Sequence, residues 1–328
     1  MDSAPHSNGA HFLASSPAPA LTSFLVFQTR TTRTTAIFTA LFPALLIFQI
    51  HAATLIEDSS VQLSSNYSRI DLRRTDENHL FAWGRANGKR ISVLVDTGWS
   101  LTTWNVPSGP PANSTTNIAQ LKLGGMTLTN VPVVTQDVRF NGQPASFDLV
   151  LGVDFLREHR AVIDCAKRKL YLRADTEEAG TKMPSASALQ KNGFISVPLS
   201  LKKTLALTCP ALVNGQPVEL LVDTAAVWSC LDERQITRLE LKPHPTLRKL
   251  TGAGKSGERF VAASETRSFA IGSAVLRNVN CAVLDLKDWG LAAPGERLAE
   301  VQGILGGGEL ARLNAIIDCG SLTLWLKP

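Results

Sequence analysis

The chain alternates short apolar stretches with turn residues, and one such pattern occurs twice. Residues 86–97 read Ala-Asn-Gly-Lys-Arg-Ile-Ser-Val-Leu-Val-Asp-Thr, and residues 213–224 read Val-Asn-Gly-Gln-Pro-Val-Glu-Leu-Leu-Val-Asp-Thr. Asn-Gly between two apolar stretches predicts a tight hairpin turn, and the apolar residues after it predict a buried strand that ends at Asp-Thr. The same local structure is therefore expected at two places in the chain.

Two further blocks also occur twice, in the same order. Residues 123–131 and 271–279 each predict a hairpin with glycine at its turn. Residues 150–165 and 304–319 each begin with an apolar-Leu-Gly element and end with Ala-x-Ile-Asp-Cys, and a short helix is expected between these two parts. Three repeated blocks in one order indicate a duplicated unit. We therefore predict a mainly β protein with two related lobes.

The repeat and the composition divide the chain into five segments. They are residues 1–53, a signal peptide or N-terminal anchor; 54–78, an N-terminal lead-in; 79–173, the first lobe; 174–192, a linker; and 193–328, the second lobe with a flap. The linker is assigned from its content of Ala, Ser, Thr and Glu and from the proline within it.

The N-terminal segment has the order of a secretory signal. Arg30 and Arg33 precede an apolar run over residues 36–50, and the small residues Ala52 and Ala53 follow it. The run is shorter than the roughly 20 apolar residues that a membrane-spanning helix needs. We therefore expect export, to the periplasm or out of the cell, after cleavage at this alanine pair. An uncleaved segment that anchors the protein in a membrane is the alternative.

The composition argues against several classes of function. The net charge is +5, but the basic residues are scattered and do not alternate with aromatic ones, so no nucleic-acid partner is expected. The five cysteines form no Cys-x-x-Cys pair and lie near no histidine cluster, so neither a metal nor another cofactor is expected. In an exported protein these cysteines are compatible with one or two disulfides, or with a role as small buried hydrophobes.

The repeated residues resemble the aspartic peptidases, which include bilobal pepsin-like enzymes and single-lobe retropepsins that form dimers. Leu-Val-Asp-Thr-Gly at 94–98 and Leu-Val-Asp-Thr-Ala at 221–225 are similar to the signature around the catalytic aspartate of that family. Val-Leu-Gly at 150–152 and Ile-Leu-Gly at 304–306 are similar to its second element, and the likeness covers about residues 80–328. The resemblance implies a mainly β, bilobal aspartic-peptidase-like fold of two pseudo-symmetric β-barrel lobes with a cleft between them.

The resemblance also implies an activity and a site. Asp96 and Asp223 would form a dyad that holds one proton, with the ionised carboxylate acting as general base on a water and the protonated one as general acid. Four residues would support the dyad: Thr97, Gly98, Thr224 and Ala225. The two threonine hydroxyls would reach across to the opposite loop. The expected protein is an aspartic-type endopeptidase that acts on a polypeptide substrate, as a monomer that contains an intramolecular pseudo-dimer.

Departures from the family pattern favour a second hypothesis. Ala225 stands where the family has glycine, and Trp99 and Ala226 stand where it has a small residue that often carries a hydroxyl. A Cβ at residue 225 is unfavourable if the backbone there needs a positive φ. The alternative is therefore a non-catalytic exported binding or scaffold protein that retains the fold. If the site is active, the missing hydroxyls predict a pH optimum closer to neutral than that of pepsin, because such donors stabilise the charged carboxylate.

An aspartate that follows a strand also has purely structural uses, because its oxygens accept hydrogen bonds from nearby turn amides. For Asp96 and Asp223 this is the alternative to catalysis. For Asp164 and Asp318, which are repeated in the third block, it is the expectation, since the corresponding aspartate of the family follows the last helix and is not catalytic.

The second lobe is longer than the first between its Asp-Thr and its glycine hairpin, and the extra segment predicts a flap. A glycine-rich stretch places Gly252, Ala253 and Gly254 at the tip of a mobile hairpin. Residues 231–241 carry spaced apolar residues that predict a short helix. The glycine-rich stretch lacks the spacing and context of a phosphate-binding loop, so no nucleotide role is expected. A single flap in the second lobe resembles the retropepsins more than the pepsin-like enzymes.

Overall fold

The computed structural model describes residues 25–27, 61, 63, 66–75, 78–107, 114–140, 143–173, 186–252, 259–286 and 301–328. Most of the predicted signal or anchor and most of the predicted linker lie outside these residues. Two N-terminal strands are described, β1 (Leu25–Phe27) and β2 (Tyr67–Asp71). None of the helices in the described part of the chain is long and apolar enough to cross a membrane.

The first lobe is a β-barrel with one short helix. Its elements are β3 (Arg73–Arg74), β4 (Leu80–Ala86), β5 (Lys89–Val95), β6 (Thr103–Asn105), β7 (Ser114–Leu123), β8 (Met126–Gln136), β9 (Arg139–Phe140), β10 (Gln143–Pro144), β11 (Leu149–Leu151) and α1 (Val153–Glu158). The strand order is β3-β4-β5-β11-β6-β8-β7, and β7 also pairs with β4, so six strands close into a barrel. The hairpin β9–β10 forms a separate small sheet.

The second lobe follows a junction and repeats the same plan with additions. The junction contains β12 (Val162–Asp164), β13 (Lys169–Arg173), α2 (Ala186–Lys191) and β14 (Ile195–Pro198). The second lobe contains β15 (Ser200–Leu201), β16 (Leu207–Val213), β17 (Gln216–Val222), β18 (Cys230–Asp232), a 3₁₀ helix (Glu233–Gln235), β19 (His244–Gly252), β20 (Arg259–Thr266), β21 (Phe269–Ile271), β22 (Ala274–Leu276), β23 (Val279–Leu284), β24 (Gly303–Leu305) and α3 (Gly307–Arg312). The chain then continues through β25 (Ile316–Asp318) and β26 (Thr323–Leu326).

The two lobes have the same core topology. In the first lobe β11 runs parallel to β5 and antiparallel to β6, and in the second lobe β24 runs parallel to β17 and antiparallel to β18. The sheet of the second lobe has the order β1-β19-β20-β23-β18-β24-β17-β16-β21-β22, with β15 paired to β16. The hairpin β19–β20 is the main addition to the plan of the first lobe. Strand β1 extends this sheet at its outer edge, with Leu25 opposite Gly252.

A six-stranded sheet joins the lobes in the order β14-β26-β25-β12-β13-β2. At its centre β12 and β25 are antiparallel, with Ile163 opposite Ile317, Val162 opposite Asp318 and Asp164 opposite Ile316. Because equivalent positions of the two repeats face each other in this register, the lobes are related by an approximate twofold axis. The predicted fold class, a mainly β bilobal protein with two related lobes, is confirmed.

The turn residues account for the hairpins that the sequence predicted. Asn87 and Gly88 between β4 and β5 have φ of 50° and 82°, and Asn214 and Gly215 between β16 and β17 have φ of 51° and 82°. Two successive positive φ values are what a two-residue type I′ turn requires, and Asn-Gly adopts them at low cost. Both predicted Asn-Gly hairpins are therefore confirmed.

The helix predicted over residues 231–241 is wrong. The structure has only the 3₁₀ helix Glu233–Gln235, where the Asp232 side chain accepts a hydrogen bond from the Arg234 amide at the N-terminus. The spaced apolar residues have another use, because Leu239 and Leu241 are buried in the core of the lobe within an irregular turn. The apolar spacing of this segment reflects tertiary packing.

The repeated aspartates of the core are structural. Asp164 accepts the amide of Lys167 (2.8 Å) and Asp318 accepts the amide of Ser321 (3.0 Å), so each aspartate closes the turn that follows its strand.

All five cysteines, which lie within the described residues, are buried free thiols and form no disulfide. Burial raises the pKa of the Cys209 thiol to about 12, which keeps it protonated and unreactive. The cysteines therefore serve as small buried hydrophobes.

Candidate active site

The two Asp-Thr loops meet where the lobes join. Asp96 follows β5 and Asp223 follows β17, and each loop is fixed to the strand beside it by a backbone hydrogen bond. The amide of Asp96 donates to the carbonyl of Leu151 (3.2 Å), and that of Asp223 donates to the carbonyl of Leu305 (3.0 Å). Asp96 is 1% exposed and Asp223 is 3% exposed. The structure thus brings the two predicted dyad residues, which lie far apart in sequence, into one buried site.

The two carboxyl groups interact directly, and each is also stabilised by amides of its own loop. Oδ1 of Asp96 accepts the amide of Gly98 (2.7 Å), and the amide of Trp99 also interacts with this carboxyl group. Oδ1 of Asp223 accepts the amides of Ala225 (2.8 Å) and Ala226 (2.9 Å). Amide donors stabilise a carboxylate more than a carboxylic acid, so both loops partly offset the cost of burying a negative charge.

Burial is the main cause of an unusual protonation state. It raises the pKa of both carboxyl groups, because the charged form loses water. The pKa of Asp96 lies well above its usual range, since the nearby charge of Asp223 adds to the effect of burial. Like charges this close do not both ionise, so the two aspartates titrate as a coupled pair and we expect the pair to hold one proton.

The two threonines connect the loops reciprocally. Oγ1 of Thr97 donates to the carbonyl of Val222 (2.7 Å) and accepts the amide of Thr224 (3.1 Å). Oγ1 of Thr224 donates to the carbonyl of Val95 (2.8 Å) and accepts the amide of Thr97 (3.1 Å). These four hydrogen bonds cross the boundary between the lobes and hold the two aspartates at a fixed separation.

Replacing Thr97 by valine tests this connection. Valine has nearly the shape of threonine but no hydroxyl, so the buried amide of Thr224 loses its partner. We expect the free energy of unfolding to fall by about 2–4 kcal/mol, because two buried hydrogen bonds are lost. Urea unfolding followed by circular dichroism measures the change. Thr97→Ser keeps the hydroxyl and is the control, and an equal loss in both variants would contradict the role of the hydroxyl.

Gly98 and Ala225 occupy equivalent places but have different surroundings. A Cβ atom at Gly98 would lie 2.4 Å from Cγ of Asp223, so only glycine leaves room for that carboxylate. Ala225 has no positive φ, and it packs in a buried cluster with Leu94, Trp99 and Val150. The condition under which alanine would be unfavourable at residue 225, a positive φ, is therefore not met.

Comparison with known proteins agrees with this geometry. Residues 209–308, which include the second Asp-Thr loop and the hairpin β19–β20, match the family model described as aspartyl protease. This segment belongs to the aspartic peptidase superfamily. The first lobe repeats its core topology and its Asp-Thr loop. A search of curated proteins found no match to the chain.

Among solved structures, the chain is similar to the crystal structure of aspartic proteinase from Irpex lacteus. The sequence identity is 11%, the match covers 80% of this chain and 97% of that chain, and the TM-score is 0.45. The assignment to the aspartic peptidases depends on the family match and on the two loops of this chain.

The Trp99 side chain of the first loop packs against the second loop. It is 4% exposed and lies in the cluster with Ala225, and its Nε1 donates to Oγ1 of Thr103 (2.7 Å). The partly buried Phe147 packs against the same cluster. The tryptophan thus supplies an apolar contact between the two Asp-Thr loops.

Each Asp-Thr loop is also held by a hydroxyl and an acid that the sequence analysis missed. In the first lobe Oγ1 of Thr102 donates to Asp154 on α1 (2.7 Å) and accepts the amide of Gly152 (3.1 Å). In the second lobe Oγ of Ser229 donates to Glu309 on α3 (2.7 Å), and it accepts the amide of Gly306 (3.1 Å). Thr102 and Ser229 follow their dyad aspartates at the same spacing, which is the signal that could have revealed them.

The glycines of the apolar-Leu-Gly elements allow this close packing. A Cβ at Gly152 would lie 2.7 Å from the carbonyl carbon of Leu101, and one at Gly306 would lie 2.5 Å from that of Trp228. Both contacts are with the backbone of the segment that follows an Asp-Thr loop. The second element of each repeat therefore packs directly against the loop that carries the aspartate.

The predicted flap is described in part. Strands β19 and β20 form an antiparallel hairpin in the second lobe, with Leu250 opposite Arg259. Gly252 is the last residue of β19, whereas Ala253 and Gly254 lie outside the described residues. The assignment of these three residues to a mobile flap stays a prediction.

The raised pKa values predict the pH dependence of the site. For activity with one proton on the pair, one aspartate must be ionised and the other protonated, so the rate has an acid limb and an alkaline limb. Because both pKa values are raised, we expect both limbs of kcat/KM to lie above the ordinary aspartate pKa of about 3.9. A pH profile of kcat/KM on a peptide measures the limbs. An acid limb at or below that value would contradict the assignment.

Proposed function

We propose that the chain is an aspartic-type endopeptidase that hydrolyses polypeptide substrates with a water activated by Asp96 and Asp223. One observation carries the proposal. Two carboxyl groups from equivalent loops interact directly in a buried site, and burial raises the pKa of both. A pair of this kind holds one proton, and it provides a base and an acid side by side.

The unequal environments assign the roles. Asp223 is the general base, because its pKa is raised less than that of Asp96 and the amides of Ala225 and Ala226 favour its charged form. It removes a proton from the water as the water oxygen attacks the peptide carbonyl carbon. Asp96 is the general acid and gives its proton to the carbonyl oxygen, which forms a neutral tetrahedral diol. The proton now on Asp223 then passes to the amide nitrogen as the C–N bond breaks, and Asp96 recovers a proton from the diol.

The surrounding contacts support catalysis by holding the pair still. The threonine hydrogen bonds fix the separation of the loops, and the networks of Thr102 with Asp154 and of Ser229 with Glu309 tie each loop to its helix. Preorganised groups do not have to reorient during the reaction, which lowers its barrier.

A non-catalytic exported binding or scaffold protein is the competing hypothesis, and it was motivated by Trp99 and Ala225. Trp99 packs with Ala225 in a buried apolar cluster, and Ala225 has no positive φ. Both residues therefore have a packing role that is compatible with an active dyad. These contacts favour the peptidase.

The proposal extends to the location and assembly of the protein. The apolar run over residues 36–50, behind two arginines, supports export to the periplasm or beyond. Both catalytic loops come from one chain, which supports a monomer as the active species. These two points rest on the sequence and on the pairing of the loops.

Digestion of a mixed peptide library tests the proposal. The full chain is incubated from acid to neutral pH beside Asp96→Asn and Asp223→Asn, and cleavage products are identified by mass spectrometry. Asp71→Asn, which removes an exposed carboxylate far from the dyad in sequence, is the matched control. We expect cleavage by the wild type and the control and none by either dyad variant. No cleavage by a correctly folded wild type at any pH would overturn the proposal in favour of the binding protein.

A further inference from the structure

The outer face of the first lobe carries three cations in one row across three strands. Arg85 on β4 lies opposite Arg90 on β5 and also opposite Lys122 on β7. All three residues are exposed. Paired strands lie about 4.8 Å apart, so the row spans roughly 10 Å. Like charges that are directly opposite on neighbouring strands destabilise a sheet, and this arrangement therefore has a cost in the protein alone.

None of the three cations has an acidic partner among the described residues. Arg85 donates to the carbonyl of Gly88 in its own hairpin turn (2.8 Å), and Arg90 lies over a tryptophan ring. Asp148 lies beside the same sheet, but its carboxylate accepts the amide (2.8 Å) and the hydroxyl (2.9 Å) of Ser92. The positive charge of these three side chains is therefore not neutralised by an acid among the described residues, and it can attract an anionic partner.

Trp83 completes this surface. Its side chain is 43% exposed, although the guanidinium of Arg90 lies 4.1 Å from the centre of its ring and the ring of Phe81 meets it edge to face at 6.0 Å. These contacts hold an amphipathic ring in place next to the cations. We call Trp83, Arg85, Arg90 and Lys122 the basic face.

The second lobe shows that the fold does not require the basic face. The same positions of its hairpin have the same register, since Leu212 on β16 lies opposite Pro217 on β17 and opposite Ala270 on β21. Pro210 stands at the position that corresponds to Trp83. Equivalent backbones thus carry three cations and a tryptophan in one lobe, and neutral residues without an aromatic ring in the other. The composition of the basic face is specific to the first lobe.

We propose that the basic face binds a membrane surface that contains anionic lipids. A sheet face presents its cations together to a flat surface, where each can meet a lipid phosphate. Exposed tryptophan beside arginine and lysine suits the boundary between lipid and water, where the ring lies at the level of the head groups. A weak apolar signal becomes a stable attachment when a basic patch is added. The apolar run over residues 36–50 is such a signal where it stays uncleaved as an N-terminal anchor.

Vesicle binding by the full chain tests the proposal. Binding to vesicles of phosphatidylcholine alone is compared with binding to vesicles that also contain phosphatidylglycerol, and the readout is the ratio of the two affinities. An inserted apolar segment needs no anionic lipid and adds equally to the affinity for both kinds of vesicle. Its contribution therefore cancels in this ratio. The test variant carries Arg85→Ser, Arg90→Ser and Lys122→Ser. The control carries Lys191→Ser, Lys242→Ser and Arg277→Ser, which removes the same charge from exposed positions elsewhere.

We expect the wild type and the control to prefer the anionic vesicles, and the test variant to lose about a hundredfold of this preference at low salt. Its thermal unfolding should remain close to that of the wild type, because three repelling charges have been removed. A wild type without preference, or a test variant that keeps the preference, would overturn the proposal. Tighter binding to single-stranded RNA than to anionic vesicles, lost in the same variant, would also overturn it and assign the face to nucleic acid.

Discussion

Replacing Asp223 by asparagine is expected to lower kcat/KM for peptide cleavage by about a thousandfold or more. Asparagine can still accept the amides of Ala225 and Ala226, so the loop keeps its hydrogen bonds. It cannot take a proton from water, and general base catalysis of this kind contributes roughly 10²–10⁴-fold. Initial rates on the best library peptide, measured at several pH values, give the change.

The stability of the same variant should depend less on pH than that of the wild type. The folded pKa values of Asp96 and Asp223 are raised, so their protonated forms contribute stability that is present in acid and is lost as pH rises through those values. Asp223→Asn removes one of these groups and also the charge that helps to raise the pKa of Asp96. We expect its urea midpoint to fall less between acid and neutral pH than that of the wild type. A variant that loses activity and stability together at every pH would instead indicate a structural role for Asp223.

Much of the fold could be predicted because the repeat depends on local chemistry. Asn-Gly specifies a type I′ hairpin through two positive φ values, whichever lobe it is in. The apolar strand after it leads into Asp-Thr, which stays buried in both lobes. Duplication then predicts which loops meet. Each lobe supplies one Asp-Thr loop, and two equivalent loops on a twofold axis lie side by side at that axis.

The parts that could not be predicted depend on contacts between distant segments. The short helix expected over 231–241 failed because apolar spacing does not distinguish a helix face from turns that pack into a core. Whether Ala225 would be strained depended on a backbone angle that the sequence does not contain. The basic face was missed because Arg85, Arg90 and Lys122 look scattered until the strand register places them side by side.

Replacing Gly98 by alanine is expected to lower kcat/KM by about a hundredfold while the protein stays folded. The new Cβ would lie 2.4 Å from Cγ of Asp223 and 2.5 Å from its Oδ2, so the carboxylate must move away from the Ala225 and Ala226 amides. A displacement of about 1 Å at a catalytic group has this effect on rate, and overpacking costs roughly 1–3 kcal/mol of stability.

The reverse change at the equivalent position, Ala225→Gly, is the matched control. It removes a methyl group that packs against Trp99 and should cost about 1–2 kcal/mol of stability with little loss of rate. Peptide cleavage and urea unfolding of both variants measure the two effects separately. Equal losses of rate would mean that the loops contribute symmetrically, whereas the expected difference shows that the first loop leaves space for the carboxylate of the second.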